Sequence, residues 1–548
     1  MSGTLEGMTT QALQEQVLLG DEAVALGALH AGVSGAYAYP GTPSTEIFEF
    51  LHLHAADYGV RADWCANEKT AYEQALGVSM AGRRALVSMK HVGLNVAADP
   101  FINSALVEIG GGLVVAVADD PGMHSSQNEQ DSRFLADFAR IICLEPADQQ
   151  EAYEMTREAF DLSERFHLPV LIRLVTRLCH SRALVAPAAP RDQNPMVKAA
   201  DPTNWTLLPS ISRRLWRGLL DLQPALHSYS ADSGHNTLAM NDGGPLAVIT
   251  TGIARNYFGE NCGDMAAVPP HLHIGAYPMP EDAIRRLADA AERILVIEEG
   301  YPLVEQRLRG VLEHRWEIAG KMDGTLPLDG ELTPDSVREA LGLEPRPRIS
   351  IGLLDLPGRP PQLCKGCPHR DSYDAVAEVL GGYDESVVTS DIGCYTLGAL
   401  PPYQAIESCV CMGASVGMAK GASDAGLKPA LAVIGDSTFL HSGVTGLMDA
   451  VASDTDMTLL ILDNEIVAMT GLQPTVLPEG RLSPIVEGLG VDPGHVRVVD
   501  VNPRDQSELV EALRTEMAHP GLSVVIAVRE CIEATKANRR RDREDGSG

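Results

Sequence analysis

Residues 431–442 read LAVIGDSTFLHS, and residues 457–471 read MTLLILDNEIVAMTG. Each opens as an unbroken apolar run of strand length and then breaks into acidic and small polar residues. A strand that is apolar at every position has both faces buried, the condition of a parallel sheet covered by helices. In such sheets the side chains just past the carboxyl ends of the strands line the ligand crevice. Asp436 and Asn464 stand at two of those ends, with enough chain between them for one helical crossover. Two oxygen donors on neighbouring strand tips suit a hard cation such as Mg2+, which keeps phosphate oxygens in its shell. Gly435 lets a backbone come close to those phosphates. Taken alone, the two residues serve equally well as an ordinary strand-end turn.

Similar runs recur along the chain. RALVSM (84–89), GGLVVAVAD (111–119) and LPVLIRLV (168–175) alternate with helical segments over residues 1–185, as in a parallel α/β sheet. A polar, proline-containing stretch, 186–240, reads as a linker region. PLAVITTG (245–252) and RILVIEEG (293–300) mark a middle α/β domain over 241–345. SVVTSDIG (386–393), the two opening strands and SVVIAVREC (523–531) build a third over 346–535. The remainder, 536–548, is charged and aperiodic and is expected to be disordered. The fold class is therefore α/β, with three parallel-sheet domains.

The net charge of −31 argues against a nucleic-acid partner, because phosphate binding needs a basic surface. No apolar run approaches the ~18 residues that a membrane span requires, and the polar start of the chain has no signal core. A cytoplasmic protein without a membrane partner is expected.

LCKGCPHR (363–370) places Cys364 and Cys367 three positions apart, a spacing shared by disulfides, zinc sites, redox dithiols and iron–sulfur clusters. Ten cysteines in 548 residues do not make a secreted disulfide scaffold. Zinc usually brings a second pair or nearby histidines, and only His369 is near. Cys394 and Cys531 fall at further strand ends, and four thiolates from separate tips can surround an iron–sulfur cluster; a metal-free thiol group is the alternative. Cys409 and Cys411 read as packing, and Cys65, Cys143, Cys179 and Cys262 as core. Glu68, after Asn67, is either a functional carboxyl or a first-turn residue of a helix capped by Asn67. In YPGTPST, Thr42 can aim a hydroxyl at an anion, while Ser44 or Thr45 can cap the next helix. Lys90, His91, His124, Gln127, Arg133 and His441 are candidate pocket residues.

Gly435-Asp436-Ser437 followed by Asn464 resembles the thiamine-diphosphate motif. DNEIVAMTG (463–471) is similar to the thiamine-binding part of 2-oxoacid:ferredoxin oxidoreductases, their indolepyruvate branch above all. The resemblance runs through YPGTPSTEI, NEKTAYEQALG, MKHVGLNVAADP, DDPGMHSSQNEQDSR, CKGCPHR, SDIGCYTLG and GDSTFLHSG, nearly the whole chain. It implies a pyrimidine-binding domain (1–185), a transketolase C-terminal-like domain (241–345) and a diphosphate-binding domain (346–535). It also implies Mg2+ held by Asp436, Asn464 and the Ile466 carbonyl. Gly393, Tyr395, Gly413, Gly435, Ser437, Met469 and Thr470 would lie around thiamine diphosphate. Glu68 would drive the aminopyrimidine into its imino form, Thr42 would meet the substrate carboxylate, and Cys364, Cys367, Cys394 and Cys531 would hold one 4Fe–4S cluster.

The family often carries a C-terminal ferredoxin module with repeated cysteine runs, and none follows Cys531. Electrons are therefore expected to leave through a partner or a soluble carrier. The resemblance implies oxidative decarboxylation of a 2-oxoacid, an arylpyruvate such as indolepyruvate or phenylpyruvate, to an acyl-CoA. It further implies a small β (gamma-type) subunit, coenzyme A, an electron carrier and paired α chains. The alternatives are a non-oxidative decarboxylase or carboligase, and a non-catalytic scaffold subunit.

Overall fold

Alternate residues of the opening run point to opposite faces of a sheet. Leu431 and Val433 join Leu460, Leu462 and Val525 in one core, while Ala432 and Ile434 join Leu459, Ile461 and Ile526 in the other. Both faces are apolar because helices cover both. The strands belong to a six-stranded, wholly parallel sheet in the order Ser408–Cys409, Val387–Ser390, Ala430–Gly435, Met457–Asp463, Leu522–Val528, Val496–Asp500. The helices Pro368–Leu380 and Ser507–Met517 supply Tyr373, Val376 and Leu513 to the first core. Ala414–Asp424 and Val444–Ala452 supply Val416 and Leu447 to the second.

The computed structural model describes residues 14–198, 201–241, 244–312, 316–347, 362–477 and 480–544. Its contacts group the chain into two compact units, Met1–Ser350 and Ile351–Gly548. Residues 348–361, where the third expected domain begins, lie outside the described residues, as do 545–548 of the expected tail.

Besides a two-stranded antiparallel pair, Gln16–Leu19 with Arg182–Val185, the described residues of the first unit form two larger sheets. One has seven strands in the order Ala276–Tyr277, Cys143–Leu144, Val170–Val175, Leu113–Asp119, Ala85–Lys90, Gly35–Ala38, Arg61–Trp64, all parallel except the first. The other has five: Glu317–Ala319, Arg293–Ile297, Leu246–Thr251, His271–Ile274 and an antiparallel edge, Asn236–Ala239. Two of the expected domains are thus one compact unit, for two physical reasons. The middle segment lends its own strand, Ala276–Tyr277, to the larger sheet. A buried ion network also joins them: Arg133 meets Asp131 at 2.5 Å, Glu298 at 3.1 Å and Glu145 at 3.5 Å, and Arg173 meets Asp119 and Glu145 at 2.7 Å each.

Two boundary expectations need correction. The stretch 186–240 is irregular from 186 to 198 but then forms the 24-residue helix Pro209–Asp232 and the edge strand Asn236–Ala239. Pro209 sits at the helix start, where its missing N–H leaves no intrahelical bond unmade. The tail is helical as far as Glu544, in Ile532–Glu544, with a Lys536–Glu533 ion pair one turn apart. Lys, Ala, Arg and Glu are strong helix formers, so an aperiodic charged segment need not be disordered. Among the described residues no helix is long and apolar enough to cross a membrane.

Candidate active site

In the second unit, three neighbouring strands end in polar residues. Val387–Ser390 leads into Asp391, Ala430–Gly435 into Asp436, and Met457–Asp463 into Asn464. The register sets Gly435 opposite Leu462, so Asp436 and Asn464 occupy adjacent tips. Asp436 begins a short helix continued by a wider turn, Phe439–Gly443, and then by Val444–Ala452. A helix start facing the crevice favours anions. Turns of this wider kind often mark functional sites. This one carries the buried His441, whose Nδ1 lies 2.6 Å from the Ser442 hydroxyl.

Asp436 is buried, and its Oδ2 has no hydrogen bond. Burial, with the Asp463 carboxylate beside it, pushes its pKa up to about 8, although the N–H groups of Ser437 and Glu465 favour the charged form. A buried acid with an unmatched oxygen and acidic neighbours is the chemistry of a cation ligand. The residues present therefore fit Mg2+. Asn464 is oriented from two sides: its Nδ2 donates to His369 Nε2 at 3.3 Å, and its Oδ1 accepts from the Ile466 N–H at 3.2 Å. His369 is fully buried, and burial alone lowers it to about 4, so it stays a neutral acceptor. Asp391 accepts from the Ser415 N–H at 3.1 Å, leaves Oδ1 unmatched, and is raised by burial to about 6.

The glycines have reasons of their own. A Cβ on Gly435 would strike the Tyr395 ring at 2.6 Å, and one on Gly393 would strike it at 2.3 Å. The first reason for Gly435 is therefore room for Tyr395 rather than for phosphate. Gly413 has φ +91°, and a Cβ there would lie 2.6 Å from Ser442. Ile466 opens a two-residue strand paired with Gln473–Pro474. Met469 is exposed, and the Thr470 hydroxyl donates to Gln473 Oε1 at 2.6 Å.

The four cysteines converge. Cys367 caps the helix Pro368–Leu380, and its N–H bonds the Cys364 carbonyl at 3.1 Å. Arg529, two residues before Cys531, donates to the Gly366 carbonyl at 3.2 Å and pairs with Asp371. Burial pushes the Cys367 thiol up to about 11, with Cys364 and Cys531 adding to the shift. It pushes Cys394 up to about 12, with Cys367, Cys531 and Cys364 adding. Among the described residues no three of these sulfurs lie within 4.8 Å of one another. Four thiols carried by separate elements are a donor set that an iron–sulfur cluster can use. His369, two residues beyond Cys367, joins the thiol group to the Asp436–Asn464 tips.

The first unit holds the second group. Asn67 caps the helix Glu68–Met80 by accepting from the Thr70 N–H at 2.8 Å, and Glu68 stands in the first turn of that helix, the arrangement of the second reading given for this pair. Glu68 is buried, and a Cβ on Gly93 would meet its Oε1 at 2.5 Å. Lys90 faces Glu68 and Asp120, and burial lowers it to about 8 against their pull. Its Nζ donates to the Ser125 carbonyl at 3.3 Å, and the Ser125 hydroxyl donates to the Thr42 carbonyl at 3.0 Å. Ser44 stands at the N-cap of Thr45–His54 but makes no side-chain cap bond; its hydroxyl donates to the Gly41 carbonyl, and the Gly41 N–H donates to Thr45 Oγ1, so both residues shape the Thr42 loop. Glu68, Lys90 and the Thr42 loop thus form one group. His91 is tied by Nε2 to the Asn128 carbonyl at 3.1 Å. His124 is exposed and faces Glu331 at 3.2 Å, Gln127 is exposed, and Arg133 belongs to the buried ion network.

Asp391, His369, Asp463 and Glu465 were not singled out as coenzyme-site residues from sequence. SDIG at 390–393 follows an apolar run just as GDS does, and that signal was enough to find Asp391. Nothing in the sequence ties His369 to Asn464, 95 positions away.

Comparison with known proteins follows the same geometry. The family description "Pyruvate flavodoxin/ferredoxin oxidoreductase, thiamine diP-bdg" matches residues 26–219, and "Thiamine pyrophosphate enzyme, C-terminal TPP binding domain" matches 391–527. The indolepyruvate oxidoreductase subunit IorA of Archaeoglobus fulgidus is 37% identical over 96% of this chain and 88% of its own length. That of Thermococcus kodakarensis is 34% identical over 94% and 85%. A solved 2-oxoglutarate:ferredoxin oxidoreductase from Magnetococcus marinus, with 2-oxoglutarate, coenzyme A and succinyl-CoA bound, shares the fold. Its TM-score is 0.51 at 17% identity, covering 60% of this chain and 65%, somewhat under two thirds, of that one.

Proposed function

This chain belongs to the family of thiamine-diphosphate-dependent 2-oxoacid oxidoreductases that includes the indolepyruvate oxidoreductase subunits IorA, and from that premise we propose that it oxidatively decarboxylates an arylpyruvate to an acyl-CoA. The observation that carries the reading is Asp436, a buried carboxyl with an unmatched oxygen at the strand tip next to Asn464.

Asp436, Asn464 and the Ile466 carbonyl would hold Mg2+, and the helix start at Asp436 would face the diphosphate. Thiamine diphosphate supplies the carbanion chemistry that lets a 2-oxoacid lose CO2. Glu68, a buried carboxyl, would hold or move the proton at the pyrimidine ring. The Thr42 loop, with Lys90 behind it, would receive the substrate carboxylate. A 4Fe–4S cluster on Cys364, Cys367, Cys394 and Cys531 would take electrons one at a time. A small partner subunit and an electron carrier would complete the path, with coenzyme A accepting the acyl group and two such chains pairing.

The test is dye reduction by the anaerobic complex with Mg2+, thiamine diphosphate and coenzyme A. Indolepyruvate or phenylpyruvate should outrun pyruvate and 2-oxoglutarate, and Asp436→Ala should abolish the activity. Iron-free protein that releases an aldehyde would establish the non-oxidative reading instead. Protein that binds no thiamine diphosphate would establish a scaffold role.

A further inference from the structure

A second polar cluster lies in the first unit, apart from every residue used above. Asp21 stands in the first turn of the helix Gly20–His30, Glu46 in the first turn of Thr45–His54, and His180 at the end of Thr176–His180. One ligand atom from each lies within 4.8 Å of the other two, with Glu46 Oε2 and His180 Nε2 at 3.7 Å. The close approach is built in: a Cβ on Gly20 would lie 2.3 Å from the Leu178 carbonyl oxygen. Only glycine lets the first helix start this near the 176–180 segment.

The independent sign of a ligand is Asp21 itself. It is fully buried, yet neither carboxylate oxygen has a hydrogen bond. The buried Cys179 thiol beside it is only a weak donor. Burial and the neighbouring Glu46 both disfavour the Asp21 anion. Unmatched buried carboxyl oxygens are costly, and a cation between two carboxylates and an imidazole removes that cost. Glu46 is half-buried and His180 exposed, so the cluster opens to solvent on one side, where an ion can enter and water can complete its shell.

We propose that Asp21, Glu46 and His180 form a binding site for a divalent first-row transition ion such as Zn2+. One imidazole nitrogen and two carboxylates, with an open position, suit zinc; magnesium and calcium prefer oxygen alone. The ion fastens the first helix and the end of the Val170–Val175 strand segment to the helix that follows the Thr42 loop. Glu46 stands four residues from Thr42, so the ion steadies that loop.

The test compares the whole chain with Asp21→Asn and His180→Gln after chelation and desalting, by equilibrium dialysis against micromolar Zn2+ with zinc and iron both counted. Asp21→Asn keeps the shape of the side chain and replaces an acid that burial already disfavours as an anion, so the ion-free variant should unfold no earlier than the parent. Expected is one more zinc per chain in the parent than in either variant at equal iron content, and a zinc-dependent rise in Tm in the parent alone. Equal zinc in all three proteins, or an equal Tm shift, overturns the proposal.

Discussion

Replacing Asp436 with Asn removes a single charge at the strand tip, and its effect should depend on pH in a way the structure dictates. Burial and Asp463 hold the Asp436 carboxyl at about 8, so at pH 7 only about one molecule in ten carries the charge in the absence of a cation. A cation that binds the carboxylate must displace that proton. Apparent affinity for Mg–thiamine diphosphate should therefore rise with pH up to about 8 and then level off, a gain of about tenfold, or about 1.4 kcal/mol, between pH 7 and pH 9. In the Asn variant the slope should vanish. Its affinity at pH 9 should fall by more than the 10–100-fold typical of losing an outer-sphere partner. Calorimetric titration at pH 7, 8 and 9 reads both quantities. The folded-state pKa is raised, so this group's contribution to stability is present below the ordinary carboxylate range and is lost as pH rises through about 8. Cation-free protein should then melt earlier at pH 8.5 than at pH 6, and Mg–thiamine diphosphate should restore the difference. A flat binding profile in the parent, or one that persists in the variant, would refute the reasoning.

Glu68→Gln should keep thiamine diphosphate binding while kcat falls by about 10²–10⁴, the usual worth of a positioned proton donor or acceptor; single-turnover kinetics with bound coenzyme reads it. Cys364→Ser and Cys531→Ser should lose cluster iron and visible absorbance, whereas Cys409→Ser and Cys411→Ser should keep both, as counted by iron and sulfide analysis. Arg133→Met would leave Asp131, Glu145 and Glu298 buried around a missing cation, at a cost of about 3–5 kcal/mol that a denaturant titration would show.

The α/β class was legible because Leu431 to Ile434 and Leu459 to Leu462 are apolar at every position and of strand length, as strands buried on both faces are. Asp436 and Asn464 were legible for the same reason: the polarity changes where the strand ends. The helix Pro209–Asp232 was hidden by Pro224, since a proline inside a segment usually argues against a helix. The union of the first two sheets was hidden because its ties are far apart in the chain. Arg133 reaches Glu298 across more than 160 positions, and no local pattern records such a pairing. His369 looked like a spare metal ligand for the cysteines, and only the folded chain turns it toward Asn464.

The central claim is that one chain brings a magnesium-held thiamine coenzyme and a thiol-bound cluster together, and composition analysis of protein isolated without oxygen tests it most directly. The account predicts about four irons and four sulfides per chain, with one thiamine diphosphate and one magnesium bound after incubation with both. Iron-free protein that retains no thiamine diphosphate would contradict it.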